Sequence, residues 1–245
     1  MKTGKTISFT LAKGGTTKTT STINLGAALA AQRHSVCLID IDPQGNLSTA
    51  LGYDPRNLKH TLYLLPSNQK LGLVEKRLVM ESGNSVFGDT AIPAELVLRR
   101  VLEPLKQVYD YILIDCPPSV GLLTINALTA SDSIILPMES HFLGFEAIKQ
   151  TLDVVSRVKA SFNPNLYIEG ILLTKFQDRT TLCRSIRDSV YKTYGETFRV
   201  FEQPIAYSIK AAEQSVCGAS IFETDPHGKI AAGYLSAAME VISRE

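Results

Sequence analysis

Lys13-Gly14-Gly15-Thr16-Thr17-Lys18-Thr19-Thr20 is the stretch that decides how this chain folds. It follows the apolar run Thr6-Ile7-Ser8-Phe9-Thr10-Leu11-Ala12 and precedes a helix-like stretch from Ser21 to Ala31. Strand, glycine loop, Lys-Thr-Thr and helix, in that order, make the arrangement of a phosphate-binding loop. Phosphate oxygens need several donors converging on a small volume. Glycines let successive backbone N–H groups turn inward with no Cβ in the way, and the following helix offers the positive end of its dipole. In this reading Gly14, Gly15, Thr16 and Thr17 form the cradle. Lys18 supplies a point charge to the β- and γ-phosphates, Thr19 offers its hydroxyl to Mg²⁺, and Thr20 reaches the α-phosphate. The competing reading is an ordinary strand-to-helix turn. The glycines alone would permit it; Lys-Thr-Thr after a buried strand argues against it.

Two features of the loop are unusual. It carries a second lysine, Lys13, and it has Thr17 where glycine normally precedes the lysine. A β-branched residue is poorly suited to positive φ. Either the loop keeps negative φ at Thr17, or it is strained there. Binding is expected to survive, because Gly14 and Gly15 remain.

Short apolar runs alternate with longer helical patterns. Val36–Ile39, Tyr111–Ile114, Ser133–Leu136 and Ile168–Leu173 read as buried strands, being continuous rather than alternating. Gly121–Ala130, Gly144–Ala160, Thr181–Tyr194 and Gly228–Arg244 read as helices. The pattern predicts one α/β domain over residues 1–245, with a mostly parallel, twisted central sheet covered by helices on both faces. At 245 residues the chain is long enough for a substantial core.

The net charge of +1 excludes a global electrostatic pull towards nucleic acid, so any such contact must be a local patch. The four cysteines are scattered with no Cys-x-x-Cys pair, which reads as small buried hydrophobes in a reducing compartment. No signal peptide and no membrane-length apolar run are apparent, so a cytoplasmic location is expected.

Two further segments end in carboxylates. Leu38-Ile39-Asp40-Ile41-Asp42-Pro43-Gln44 is read as a strand whose Asp40 and Asp42, two apart, project the same way. One would hold a Mg²⁺-bound water and the other orient an attacking water. The alternative is a capped turn, since Asp-Pro often starts one. Ile112-Leu113-Ile114-Asp115-Cys116-Pro117-Pro118 is a second apolar strand ending in aspartate. Asp115 would act on the metal through water, because Mg²⁺ keeps much of its hydration shell.

Together these three elements resemble the ParA/Soj group of partition ATPases, related to MinD, and the resemblance runs over nearly the whole chain. Leu122–Leu128 and Gly170-Ile171-Leu172-Leu173-Thr174-Lys175 fit it too. With no extra amino-terminal DNA-reading segment, the chain looks like the short form. The resemblance implies a Mg²⁺-dependent, slow ATPase that forms a nucleotide sandwich homodimer. Lys13 would cross to the partner subunit's nucleotide, Lys18 and Thr19 would serve phosphate and metal, Asp42 the water, and Asp40 and Asp115 the metal shell. It further implies non-specific DNA binding in the ATP state and a ParB-like or adaptor partner that stimulates hydrolysis, for segregation of a plasmid or chromosome. Positioning of a protein organelle is an alternative cargo.

Two departures stand out. Ile205-Ala206-Tyr207 occurs where the family has Ile-Pro-Arg. Asn57–Tyr63 followed at once by Leu64-Leu65-Pro66-Ser67-Asn68 suggests that a helical segment is missing near 63–64. Candidate DNA contacts are Arg179, Arg184, Arg187, Lys192 and Lys210. Arg184 and Arg187 share a helix face, and the alternative is a solvated face carrying Asp178 and Asp188. A MinD-like membrane role would need a basic amphipathic carboxyl-terminal helix, and the stretch from Ile230 lacks one, so no membrane partner is expected. A biosynthetic enzyme of the dethiobiotin synthetase type would not need Lys13. A nitrogenase-type reductase would need paired cysteines.

Overall fold

Thr6 to Phe9 are buried without alternation, as a strand covered on both faces requires. The computed structural model describes residues 3–15, 17–51, 62–82, 92–208 and 218–244. Its strands are β1 (Lys5–Phe9), β2 (Val36–Asp40), β3 (Leu62–Leu65), β4 (Tyr111–Asp115), β5 (Ser133–Glu139) and β6 (Tyr167–Thr174). They form one parallel sheet in the order β3-β2-β4-β1-β5-β6. The helices are α1 (Lys18–Ala31), α2 (Asn46–Ala50), α3 (Lys70–Ser82), α4 (Val97–Leu102), α5 (Leu122–Ala130), α6 (Leu143–Ser161), α7 (Thr181–Tyr194), α8 (Ile221–Thr224) and α9 (Lys229–Ile242).

Alternate strand residues serve opposite faces. Ile7, Phe9, Leu38 and Leu113 pack under α1 and α9 with Leu25, Leu29, Tyr234 and Val241. Cys37, Ile39, Ile112 and Ile114 face the other way, against Leu123 and Ala127 of α5. Ile134, Leu136 and Leu173 meet Ile148 and Val155 of α6 and Ile186 and Val190 of α7. The apolar side of α9 is therefore spent on the core, with Ile230, Tyr234, Ala237 and Val241 buried.

The expected strands and helices are present with ends shifted by a few residues. β1 ends at Phe9 rather than Ala12, because the chain leaves the sheet to build the phosphate loop. β5 runs on through Pro137 to Glu139. A proline is tolerated there because pairing to β1 stops at Ile135, so no ladder donor is missing. α2, α3, α4 and α8 are additional to the expected helices. Leu62–Leu65 forms the edge strand beside β2. Asn57 to Thr61, which bear on the suggested shortening near 63–64, lie outside the described residues.

The register fixes the site. Phe9 and Asp40 are both paired with Asp115, so β1, β4 and β2 finish at one level on the carboxyl edge of the sheet. That edge, where strand order reverses about β1, is where parallel α/β sheets bind ligands.

Candidate nucleotide-binding site

Beyond β1 the chain bends through Gly15, with φ of 74°, and Thr17, with φ of 61° and ψ of 17°, before α1 begins at Lys18. Of the two alternatives at Thr17, the left-handed one is realised. Such a conformation costs a non-glycine residue about 1–2 kcal/mol. The Thr17 hydroxyl donates to Thr174 Oγ1 at 2.9 Å, which ties the residue down.

Lys18 is buried, and its ammonium donates to the carbonyls of Lys13 at 2.9 Å and Leu11 at 3.3 Å. Burial lowers its pKa; the charges of Asp115, Cys116 and Asp42 pull the other way. One residue on, the Thr19 hydroxyl donates to Asp115 Oδ2 at 2.6 Å. Asp115 is 1% exposed, and its Oδ1 has no hydrogen-bond partner among the described residues. Burial pushes the Asp115 carboxyl up to about 8. Asp40 and Asp42 add to the rise; the Thr19 hydroxyl and Lys18 oppose it.

Asp40 and Asp42 differ in their surroundings. Asp40 accepts from the N–H of Asp42 at 3.0 Å and from the N–H and hydroxyl of Ser48 at 3.2 and 3.1 Å. It thus ties down the first turn of α2, and burial raises its pKa. Asp42 lies past the end of β2, so the strand alternation expected to align the two no longer applies. Its oxygens accept from the N–H of Gln44 at 3.0 Å and the amide of Asn46 at 3.5 Å.

A cavity of about 660 Å³ opens over this edge, a size suited to a small-molecule ligand. Gly14, Gly15, Thr17, Lys18, Thr19, Thr20 and Asp42 line one side of it; Ile205, Ala206, Tyr207, Ile230 and Tyr234 line the other. Lys13, Asp40 and Asp115 are not on its surface, Asp115 being bonded to Thr19 behind the wall. Thr16 lies outside the described residues.

Among the described residues no group of three or more His, Cys, Asp or Glu converges to cage a metal ion. A hydroxyl beside a buried carboxylate with one orphaned oxygen fits a different donor set. It suits an Mg²⁺ that arrives with phosphate and retains water, because that ion takes few protein ligands.

The basic residues proposed for DNA sit elsewhere. Arg179 precedes α7 and is exposed, as are Arg184 and Lys192 on it; Cys183, Ile186 and Val190 form the buried side of that helix. Arg187 is half-buried, 3.5 Å from Asp188 and 5.6 Å above the Phe176 ring. Lys210 lies outside the described residues.

Among the wall residues that were not expected as site residues are Thr174, Lys175, Tyr207 and Tyr234. Thr174 and Lys175 carry a signal that could have found them, since they close an apolar run just as Asp40 and Asp115 do. Tyr234 is brought in from α9 by packing on α1 and has no local signature. The segment Ile205–Tyr207 runs beside the end of β6, with Phe176 N–H donating to the Ile205 carbonyl and Tyr207 N–H to the Phe176 carbonyl, both at 2.9 Å. A half-exposed tyrosine, Tyr207, thus occupies this part of the rim.

A phosphate loop between the central strand and the first helix of a parallel sheet, with an aspartate-ended strand beside it, defines a P-loop nucleotide-binding protein. A family model described as an AAA domain matches residues 4–65 and 56–168. The sporulation initiation inhibitor protein Soj of Bacillus subtilis (strain 168) is 38% identical over 97% of this chain and 98% of its own length. The chromosome partitioning protein ParA of Myxococcus xanthus is 35% identical over 99% of this chain and 89% of its own. The solved structure of cobyrinic acid a,c-diamide synthase from Mycobacterium smegmatis, with bound ADP and magnesium, superposes with a TM-score of 0.80 at 29% identity, covering 98% of this chain and 95% of that one. The chain belongs to the ParA/Soj family of P-loop partition ATPases.

Proposed function

We propose that this chain is an ATP-dependent partition ATPase that binds Mg²⁺-ATP in the cavity over the sheet edge and works as a nucleotide-bridged homodimer. In the ATP state it binds DNA without sequence preference, and a ParB-like or adaptor partner stimulates hydrolysis and resets it. The observation that carries the reading is the convergence of Lys18, Thr19 and Asp42 on one cavity wall, with Asp115 bonded behind Thr19.

Each residue has a role in keeping with its position. Lys18 exchanges the carbonyls of Leu11 and Lys13 for phosphate oxygens. The Thr19 hydroxyl, held by Asp115, would be a ligand to Mg²⁺, and Asp115 would act on that ion through water. Magnesium, when bound, neutralises charge on the β- and γ-phosphates. Asp42 orients the attacking water, and Asp40 fixes Asp42 by accepting its N–H. Lys13, whose side chain lies off this cavity, is assigned to the nucleotide of the partner subunit. Arg179, Arg184, Arg187, Lys192 and Lys210 are assigned to DNA phosphates, and the location is the cytoplasm, on the nucleoid.

A second reading, a biosynthetic ATP-dependent enzyme, is favoured by the likeness to the diamide synthase structure. Lys13 separates the two. Partition ATPase activity is expected to be lost in Lys13→Gln, together with retention on DNA in ATP. Intact turnover in that variant, with a small-molecule product, would establish the biosynthetic reading instead.

A further inference from the structure

Among the described loop residues, those that adopt positive φ are Gly15 and Thr17, and both are tied to the carboxyl end of β6. Thr17 donates its hydroxyl to Thr174 Oγ1 at 2.9 Å. Lys175 Nζ reaches the Gly15 carbonyl at 3.4 Å and is paired with the carboxylate of Glu139, the last residue of β5. The support is itself well held. Thr174 is 1% exposed, and its carbonyl accepts from the N–H of Ser140 at 3.1 Å and the Ser140 hydroxyl at 3.2 Å. The loop thus rests on a ledge built by two neighbouring core strands.

We propose that Thr174 and Lys175 are positioning residues for the phosphate loop, and that the Thr17–Thr174 hydroxyl pair substitutes for the glycine this loop lacks. The proposal deepens the nucleotide reading and rests on it. A glycine in place of Thr17 would take left-handed φ at no steric cost. Threonine takes it only if something else in the fold over-determines it. Without the Thr174 hydroxyl, Thr17 relaxes towards negative φ and turns the N–H groups at the start of α1 away from a bound phosphate. Lys175 makes the weaker tie, being half-exposed and acting at longer range.

The inference is tested with four proteins: the unaltered chain, Thr174→Val, Thr17→Gly and the double variant. Affinity is read by titrating a fluorescent ATP analogue with Mg²⁺, and kcat and KM by phosphate release. With Thr17 in place, Thr174→Val should raise Kd and KM about threefold to tenfold, the worth of one hydrogen bond, with a smaller change in kcat. In the Thr17→Gly background the same change should have less than about a twofold effect. A fifth protein, Thr174→Ser, which keeps the hydroxyl, should restore the affinity that valine loses. Equal losses in both backgrounds, or no rescue by serine, would overturn the proposal. If the unaltered chain binds no ATP, the nucleotide reading falls, and urea unfolding of the same four proteins decides the brace. Unequal costs of Thr174→Val in the two backgrounds support it, and equal costs refute it.

Discussion

Thr19 and Asp115, 96 residues apart in the chain, share a 2.6 Å hydrogen bond at the carboxyl edge of the sheet, while the other oxygen of Asp115 is buried without a partner among the described residues. The carboxyl therefore favours its protonated form, with a pKa raised from the ordinary 3.8 to about 8 in the folded chain. Between about pH 4 and pH 8 the unfolded chain has lost this proton and the folded chain retains it, so stability falls as pH rises. Without nucleotide or Mg²⁺, urea unfolding should show a loss of a few kcal/mol across that window, to which Asp115→Asn is insensitive. An opposing partner charge would draw the proton off, so Mg²⁺-ATP binding near pH 7 should release it. Calorimetry in buffers of different ionisation enthalpy should detect that release, and Asp115→Asn should abolish it.

Lys18 and Lys13 should behave differently despite sitting five residues apart. Lys18 lines the cavity and Lys13 does not. Lys18→Ala should reduce ATP affinity at least about tenfold, as loss of a buried charge-assisted contact does. Lys13→Ala should leave affinity within about threefold but eliminate ATP-dependent dimerisation and most turnover. Nucleotide titration and light scattering in ATP test the pair. A Lys13→Ala protein that dimerises normally would contradict the assignment.

The strands were legible because a sheet buried on both faces requires continuous apolar runs, as in β2 and β4. The phosphate loop was legible because it is local. What failed to show was set by contacts distant in sequence. Asp40 and Asp42 look like a matched pair only while the strand continues; β2 ends at Asp40, and Ser48 claims that carboxylate. The helix α3 gave no clear stripe because Leu73, Val74, Val79 and Met80 are exposed, with only partial burial at Leu71 and Leu78. Thr17 was recognisable as a departure, but its hydroxyl partner, 157 residues away, was not.

The basic side of α7 makes a graded prediction. Arg184 is exposed, whereas Arg187 is engaged by Asp188 and the Phe176 ring. Arg184→Glu should therefore weaken ATP-dependent DNA retention more than Arg187→Glu. Removing each phosphate contact should lower the slope of log affinity against log salt by about 0.9. Arg187→Glu should also cost about 0.5 kcal/mol of stability, because the guanidinium no longer sits over the ring. Filter retention of DNA across a salt series, with urea unfolding alongside, checks both. Unchanged retention in the double variant would remove α7 from the DNA surface.

At the opposite end of the sheet, Glu169 is fully buried on β6. It accepts from the Ser133 hydroxyl at 2.9 Å and pairs with Lys5 at 2.9 Å and with Arg244 at 3.5 Å. Removing one partner of such a pair leaves a buried charge short of compensation, whereas removing both ions lifts the desolvation cost as well. Lys5→Met should therefore cost about 3 kcal/mol. The double variant Lys5→Met with Glu169→Leu should cost clearly less than the sum of the single changes. Because this cluster lies a full strand length from the phosphate loop, ATP affinity in the double variant should stay within about twofold of the unaltered chain. Urea midpoints and nucleotide titration measure the two quantities separately. Strict additivity of the single costs would show that Lys5 and Glu169 act independently, the ion pair contributing nothing to the hold of β1 on β6.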